Sequence, residues 1–484
     1  MNLHLVAWLL GGLSFGISAF LLLPALLALG LGERALPFFA AGGLSAAAAL
    51  LLRWWGGLPR VHLSIREGIA VTGLGWILAA FLGLLPYVFG GWLSALDVLC
   101  ESISGFTGAG ASIIVAVESL PRSLLLWRSL THWIGGFAII VMFTALLPQL
   151  AHGSLFRHSA EGIGGLHGSR VLPRIRTMAR MLLAVYALLT AAAGLVYLLC
   201  GMPPFAAASH ALSTVSTGGF SIYDDSARYF DDPLIEGAMT FFMIAAGGNF
   251  WLYYLGWKKG LHLFTENTEF KAYLTLLLLA IVLIAANLVH DMGLGPADAL
   301  RYASFQAASF ASTTGFVSSD FDNWPSFSRF CLLLLMFIGG CAGSTAGGLR
   351  VSRMLLLQRM MFSILWQKLH PQGVRQERLN GIALSEDALF NAGRFFFMYI
   401  MLNAFWVFLL TADTVPALDA IAVSISAMAG VGPVLELSGS AYTYATLPEA
   451  SKFVVCLAML FGRLEIFTLL VMLSPEFWHE KTGW

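Results

Sequence analysis

The sequence predicts an all-α integral membrane protein: four helix–pore-loop–helix repeats around a pseudo-fourfold central pore, with two further helices at the N-terminus. Three observations carry that prediction. The 484-residue chain is 58% hydrophobic and only 11% charged, whereas a soluble domain carries about 25% charged residues. Apolar runs of the ~20 residues that a membrane helix needs recur along its whole length. Four times a shorter apolar run ends in a Gly-centred turn that leads into another hydrophobic helix. These turns lie roughly a hundred residues apart, a sign of internal repetition.

The first run, Leu3 to Leu29, has no basic start and no small-residue cleavage site, so it reads as a retained membrane helix. With the span near 36–54 it forms an N-terminal pair, residues 1–57. Repeat 1 occupies 58–150, with spans near 68–90 and 124–148. Repeat 2 occupies 151–257, with spans near 180–200 and 234–256. Repeat 3 occupies 258–370, with spans near 272–290 and 330–349. Repeat 4 occupies 371–484, with spans near 394–411 and 452–473. Between each pair lies a shorter run: Leu93–Gly105, Pro204–Val215, Pro296–Ser309 and Pro416–Ala427. A dozen helical residues reach only ~18 Å, about half the hydrocarbon thickness. Each short run therefore re-enters rather than crosses. Irregular backbone at that depth survives only against protein or a water-filled cavity, which four loops facing one axis would provide.

Basic residues set the orientation. Arg53, Arg60 and Arg66, then Arg157, Arg170, Arg174, Arg176 and Arg180, then Lys258, Lys259 and Lys271, then Arg353, Arg359, Lys368, Arg375, Arg378 and Arg394 all fall in one set of loops. The positive-inside rule makes those loops, and both termini, cytoplasmic. The opposite loops hold Asp224, Asp225, Asp231, Asp232, Asp320, Asp322, Glu436 and Glu449. These are either solvated loop carboxylates or a negative vestibule that concentrates cations. The net charge is zero, which offers no footprint for nucleic acid. The five cysteines, Cys100, Cys200, Cys331, Cys341 and Cys456, are far apart in apolar runs and read as buried small hydrophobes. Neither a disulfide framework nor a zinc site is expected.

The turns carry the chemistry. They are Ser104 to Ser112, Ser213 to Ser221, Ala311 to Ser318 and Ala427 to Pro433. Aligning them gives filter glycines Gly110, Gly218, Gly315 and Gly432, with carbonyls of Ala109, Thr217, Thr314 and Val431 as co-ligands. Glycine suits backbone that turns its carbonyls toward a shared centre, where a Cβ would obstruct. Such carbonyls replace a cation's hydration shell. The C-terminal ends of the short helices add about half a unit of negative charge each. No acidic residue lies inside any turn, which disfavours a ring of carboxylates.

Two features lie beyond the turns. Gly339 to Gly348 holds five glycines in ten residues, with Ser344 and Thr345. It reads either as close small-residue packing or as a broken helix whose loop lies under the filter and moves. Arg463 falls near the middle of the last span, where an arginine costs at least ~2.5 kcal/mol. It is either a buried structural ion pair or a positive charge just below the filter. Glu465, two residues on, faces another side of the helix. His132 reads as a packed or hydrogen-bonded histidine and Asn249 as interhelical glue.

Together, the four turns, the run Gly339 to Gly348 and Phe461-Gly462-Arg463-Leu464-Glu465 resemble the Trk/Ktr/HKT superfamily of potassium transporters, specifically its TrkH-type subunits. The resemblance covers essentially the whole chain, and the two extra N-terminal helices suit that branch. One position departs: TrkH-like proteins often carry Asn two residues before the fourth filter glycine, where this chain has Gly430. The resemblance implies potassium uptake across the bacterial inner membrane. A filter with four glycines is associated in the family with potassium over sodium. It implies an intramembrane gate at Gly343, Ser344, Thr345, Gly347, Gly348 and Arg463, with Arg350 and Arg353 as anchors. It also implies a homodimer in membrane lipid, seated on a cytosolic TrkA-like RCK ring that binds the regulatory nucleotide. No organic cofactor is expected on this chain, only the potassium ion it carries, and no nucleic acid.

A sodium- or proton-coupled potassium carrier of the same fold is the alternative. An enzyme is not expected, because H-E-x-x-H and paired intramembrane aspartates are missing, and because the hydroxyl-rich turns repeat four times whereas a catalytic serine occurs once.

Overall fold

The computed structural model describes residues 1–57, 64–145, 171–371, 373, 378–380, 382–433, 443–464 and 466–478. Arg60, Arg157, Arg170, Arg375, Glu436 and Glu465 lie outside them, as do the 57/58 and 150/151 repeat boundaries.

Helices α1 (Leu3–Leu31) and α2 (Leu36–Gly56) pack on each other as an N-terminal pair. Asn2 caps α1 by accepting the Leu5 N–H at 3.2 Å, and Gly32 ends it in the left-handed region at φ 70°. Next come α3 (Ile65–Gly83), opened by a Ser64/Glu67 capping box, α4 (Leu85–Gly90), α5 (Ala95–Thr107) and α6 (Arg122–Ala145). The second set is α7 (Val171–Leu199), α8 (Pro204–Val215), α9 (Pro233–Ala246), α10 (Phe250–Lys259) and the single turn α11 (His262–Glu266). The third is α12 (Thr268–Met292), α13 (Pro296–Ala311), α14 (Ser326–Ile338) and α15 (Val351–Leu369). A two-residue hairpin, β1 (Arg378–Leu379) against β2 (Ile382–Ala383), leads to the fourth. That set is α16 (Glu386–Ala412), α17 (Ala417–Ala429), α18 (Glu449–Arg463), α19 (Ile466–Leu473) and α20 (Pro475–Trp478).

Eight helices close into a ring. In order they are α5, α6, α8, α9, α13, α14, α17 and α18, each packed on the next, and α18 returns to α5. Outside the ring, α3 backs α5, α7 backs α8, α12 backs α13 and α16 backs α17. The outer helices expose Leu22, Leu26, Leu278, Val282, Phe397 and Phe408, a surface suited to lipid and not to water. Seven helices among the described residues are long and apolar enough to cross a membrane.

Three expected spans are interrupted, the run 330–349 after Ile338 at the glycine-rich run and two others. The run 234–256 breaks at Gly247-Gly248-Asn249 between α9 and α10. The run 452–473 breaks after Arg463, with α18 and α19 bent by 110°. The cysteines bring one correction to the expected lack of pairing. Cys100 on α5 and Cys456 on α18 are joined as a disulfide, with Cα atoms 5.5 Å apart. Their separation of 356 residues hid it, because only ring closure brings those two helices together.

Candidate functional site

The four short helices end in the same backbone construction. Ala109, Gly218, Thr314 and Val431 each donate their N–H to a serine carbonyl five residues back: Ser104, Ser213, Ser309 and Ser426, at 3.0, 2.9, 2.8 and 3.1 Å. The residue before each of these is left-handed: Gly108 at φ 65°, Thr217 at 53°, Thr313 at 56° and Gly430 at 70°. The residue after each is a left-handed glycine: Gly110 at 67°, Gly219 at 78°, Gly315 at 81° and Gly432 at 99°.

This register corrects the second turn by one residue. Gly219, not Gly218, stands where Gly110, Gly315 and Gly432 stand. Gly218 takes the place of Ala109, Thr314 and Val431, and Thr217 that of Gly430. Adjacent glycines made the sequence alignment ambiguous there; the backbone angles are not. The same register accounts for Gly430. The position demands the left-handed region, which glycine and asparagine tolerate best. Where threonine occupies it, at Thr217, the hydroxyl bonds the neighbouring Ser216 carbonyl at 2.7 Å.

The turns contact one another in cyclic order. A Cβ on Gly110 would collide with the Gly218 carbonyl oxygen, one on Gly219 with that of Thr314, and one on Gly315 with that of Val431. The ring closes at Gly432, where a Cβ would lie 2.7 Å from the Gly110 oxygen. The eight predicted residues, Ala109, Gly110, Thr217, Gly218, Thr314, Gly315, Val431 and Gly432, thus all belong to one collar of backbone. On the side away from the glycine-rich run it opens into a small cavity of about 60 Å³, lined by Gly110, Ser112, Gly219, Ser221, Gly315 and Pro433 among others.

The glycine-rich run lies against the C-terminal ends of the short helices. α14 stops at Ile338, and residues 339–350 leave the helix before α15 resumes. Three backbone bonds close the neck of this excursion: Leu349 to Phe337 at 3.1 Å, Arg350 to Ile338 at 2.7 Å and Val351 to Gly340 at 3.0 Å. Gly339 at φ 74°, Gly348 at 75° and Arg350 at 76° make the reversals. Inside the loop, Gly343 is also left-handed, at φ 79°. The buried Ser344 hydroxyl donates to Cys341 O at 2.6 Å. The Thr345 hydroxyl donates to Val215 O at 3.1 Å, and the Gly347 N–H donates to the Thr313 hydroxyl at 2.9 Å. A side chain on Gly347 would strike the Ala429 carbonyl. Arg463 is buried and donates through Nη1 to Thr345 O at 2.8 Å; its Nε and Nη2 have no partner among the described residues. Of the expected anchors, Arg353 stacks 3.7 Å over Phe395.

Asn249 does more than glue helices. It caps α10 through the Trp251 and Leu252 N–H groups at 2.9 and 3.3 Å, and its amide lies beside Gly343. His132 is fully buried, stacked 4.0 Å from the Phe220 ring. Several carboxylates of the acidic loops have structural work. Asp224 accepts the Val117 N–H at 2.5 Å, Asp232 caps α9, and Asp231 meets Arg301 at 2.9 Å.

Sequence reasoning missed the polar pair behind the first two turns. Glu101 on α5 and Arg128 on α6 are buried and 2.8 Å apart. It also missed Glu269, which accepts the Ala342 N–H of the glycine-rich loop at 2.6 Å. For Glu101 and Arg128 the available signal was an ionisable residue inside an apolar run, which marks function or a partner by default; Glu269, between Glu266 and Lys271 at the start of α12, carried no such signal.

The family model for TrkH, described as a cation transport protein, matches residues 61–480. The Trk system potassium uptake proteins TrkH of Salmonella typhimurium and Escherichia coli are 34% identical over 488 residues and 33% identical over 485 residues. Each match covers 99% of this chain and 100% of the relative. The crystal structure of the potassium transporter TrkH from Vibrio parahaemolyticus matches with a TM-score of 0.91 at 32% identity, over 99% of this chain and 100% of that one. These relatives are named as transport proteins, not enzymes. The chain belongs to the TrkH family of cation transport proteins.

Proposed function

We propose that this chain takes up potassium ions across the bacterial inner membrane. In this reading the collar is the selectivity filter, built from carbonyls of Ala109 and Gly110, Gly218 and Gly219, Thr314 and Gly315, and Val431 and Gly432. Thr217 O lies one residue further inward. The observation that carries it is the closed ring of four left-handed glycines, each packed against a carbonyl of the next turn. Backbone oxygens gathered this way replace water around a dehydrated ion. The short helices point their negative ends at the space below, which favours a cation there without any carboxylate.

The loop from Gly339 to Gly348 is the gate in this reading, and Arg463 is its bolt. The loop's neck is held by its own backbone bonds, so it shifts without unwinding α14 or α15. The bolt is one charge-assisted hydrogen bond to Thr345 O. The guanidinium also places a positive charge below the collar, a barrier to cations while it stays there. Both termini and the basic loops face the cytosol. There the TrkH-type resemblance supports a homodimer, docked on an RCK-type ring that binds the regulatory nucleotide.

The test is flux of the purified chain in liposomes under potassium, rubidium and sodium gradients, alongside Gly315→Ser. Potassium preference in the parent, lost in the variant, is expected. Equal flux of all three ions in the parent would overturn the filter. A strict need for sodium or protons would instead assign a coupled carrier.

A further inference from the structure

We propose that Arg128 is a positioning residue for the filter: it braces the first two turns against each other and so sets ion preference. The inference rests on the filter reading above. It comes from the buried polar cluster behind those turns, which neither the ring of carbonyls nor the gate uses.

A filter discriminates by where its carbonyls sit, and glycine turns have no side chains with which to hold themselves. Something behind them must. Glu101, on the first short helix, accepts the Ile113 N–H at 3.0 Å and the Ser112 hydroxyl at 3.2 Å, so it fixes the descending limb of its own turn. Arg128 meets Glu101 through Nε at 2.8 Å and donates to the Ser112 hydroxyl at 3.0 Å. Its third arm crosses to the second turn and donates to Ser221 O at 3.1 Å. The Ser221 hydroxyl in turn meets His210 Nε2, on the second short helix, at 3.1 Å. One guanidinium therefore links two turns and, through them, two short helices. Its plane also lies 4.2 Å from the Phe220 ring, which stacks on His132. The His132 ring fills the space behind Gly218, where a Cβ would strike Nδ1. Gly218 is thus backed by a continuous stack, His132 on Phe220 on Arg128. Both members of the ion pair are almost wholly buried, so solvent does not loosen it.

The fork geometry is the point. A lysine keeps a charge opposite Glu101 but is a single ammonium on a flexible stem, unable to hold three planar contacts at once. Arg128→Lys therefore preserves the pair and removes the brace. In reconstituted liposomes it is expected to keep potassium uptake while its potassium-to-sodium flux ratio falls several-fold. Ser112→Ala, which deletes one contact only, is expected to shift the ratio in the same direction by less. If Arg128→Lys fails to reconstitute, Ser112→Ala alone decides by the same ratio. A merely structural role would lower flux of potassium, rubidium and sodium in proportion, together with the melting temperature. An unchanged ratio in a well-folded variant overturns the proposal. Gly315→Ser, run in parallel, separates the two readings. If it loses preference while both brace variants keep it, the filter stands and the brace falls.

Discussion

At the residue scale, the fourth turn shows how backbone angle and space decide together what a position accepts. Gly430 and Gly432 are both left-handed, at φ 70° and 99°. A Cβ on Gly430 meets nothing nearer than 3.7 Å, whereas one on Gly432 lies 2.7 Å from the Gly110 oxygen. Asparagine visits the left-handed region at little cost, and alanine does so poorly. Gly430→Asn is therefore expected to fold and transport as the parent does, within about 1 kcal/mol of stability. Gly432→Ala is expected to lose most transport. Thermal unfolding in detergent and liposome flux check both. The second turn gives a sharper comparison. Gly218 is blocked by a side chain, His132, and Gly219 by a backbone oxygen at φ 78°. Shrinking His132 to alanine should therefore partly rescue Gly218→Ala and leave Gly219→Ala unrescued. Equal rescue of the two would return the register to the one the sequence suggested.

At the scale of elements, the interrupted helices matter most. Four short helices were legible because their length, about half a span, and their terminal glycines are local properties. The break of the third repeat's inner helix was legible for the same reason: five glycines in ten residues cost about 1 kcal/mol each in a helix. The breaks at Gly247-Gly248-Asn249 and after Arg463 were not. Gly247 O accepts the Cys341 N–H at 2.9 Å, and Phe250 donates to Gly343 O at 3.2 Å. The second repeat's inner helix therefore opens to hydrogen-bond the glycine-rich loop, a partner about 90 residues away that no local window contains. Removing the bolt should release this assembly. Arg463→Ala is expected to raise potassium flux or relax its control, and unchanged flux in a folded variant would count against the gate. Asn249→Ala loses an N-cap and should cost about 1 kcal/mol, with a gating change if the cap also steadies Gly343.

At the scale of the whole molecule, the collar exists only if the repeats stay in a ring, and the joints between repeats are unlike one another. Repeats 2 and 3 are joined by Arg301 on α13, which meets Glu236 on α9 at 2.8 Å and Asp231 at 2.9 Å. Repeats 4 and 1 are joined by Lys452 on α18 and Asp97 on α5, also at 2.8 Å. Distance does not distinguish the two joints; burial does. The Glu236 side chain is 2% exposed and that of Asp97 22%. Deleting the arginine strands a carboxylate away from water, a loss that typically costs about 3–5 kcal/mol. Deleting the lysine leaves Asp97 partly hydrated and still bonded to the Ser94 hydroxyl at 2.7 Å, so the cost should be about 1 kcal/mol. Arg301→Ala should therefore lower the melting temperature in detergent far more than Lys452→Ala. Added salt should weaken the parent's second joint and the exposed Arg301–Asp231 arm of the first, and leave the Arg301–Glu236 pair least affected, because ions screen only the charges that water reaches. If the two variants melt alike, ring closure rests on the apolar packing of α18 against α5 and α9 against α13, with the Cys100–Cys456 disulfide across the first of these, and the ion pairs are incidental to it.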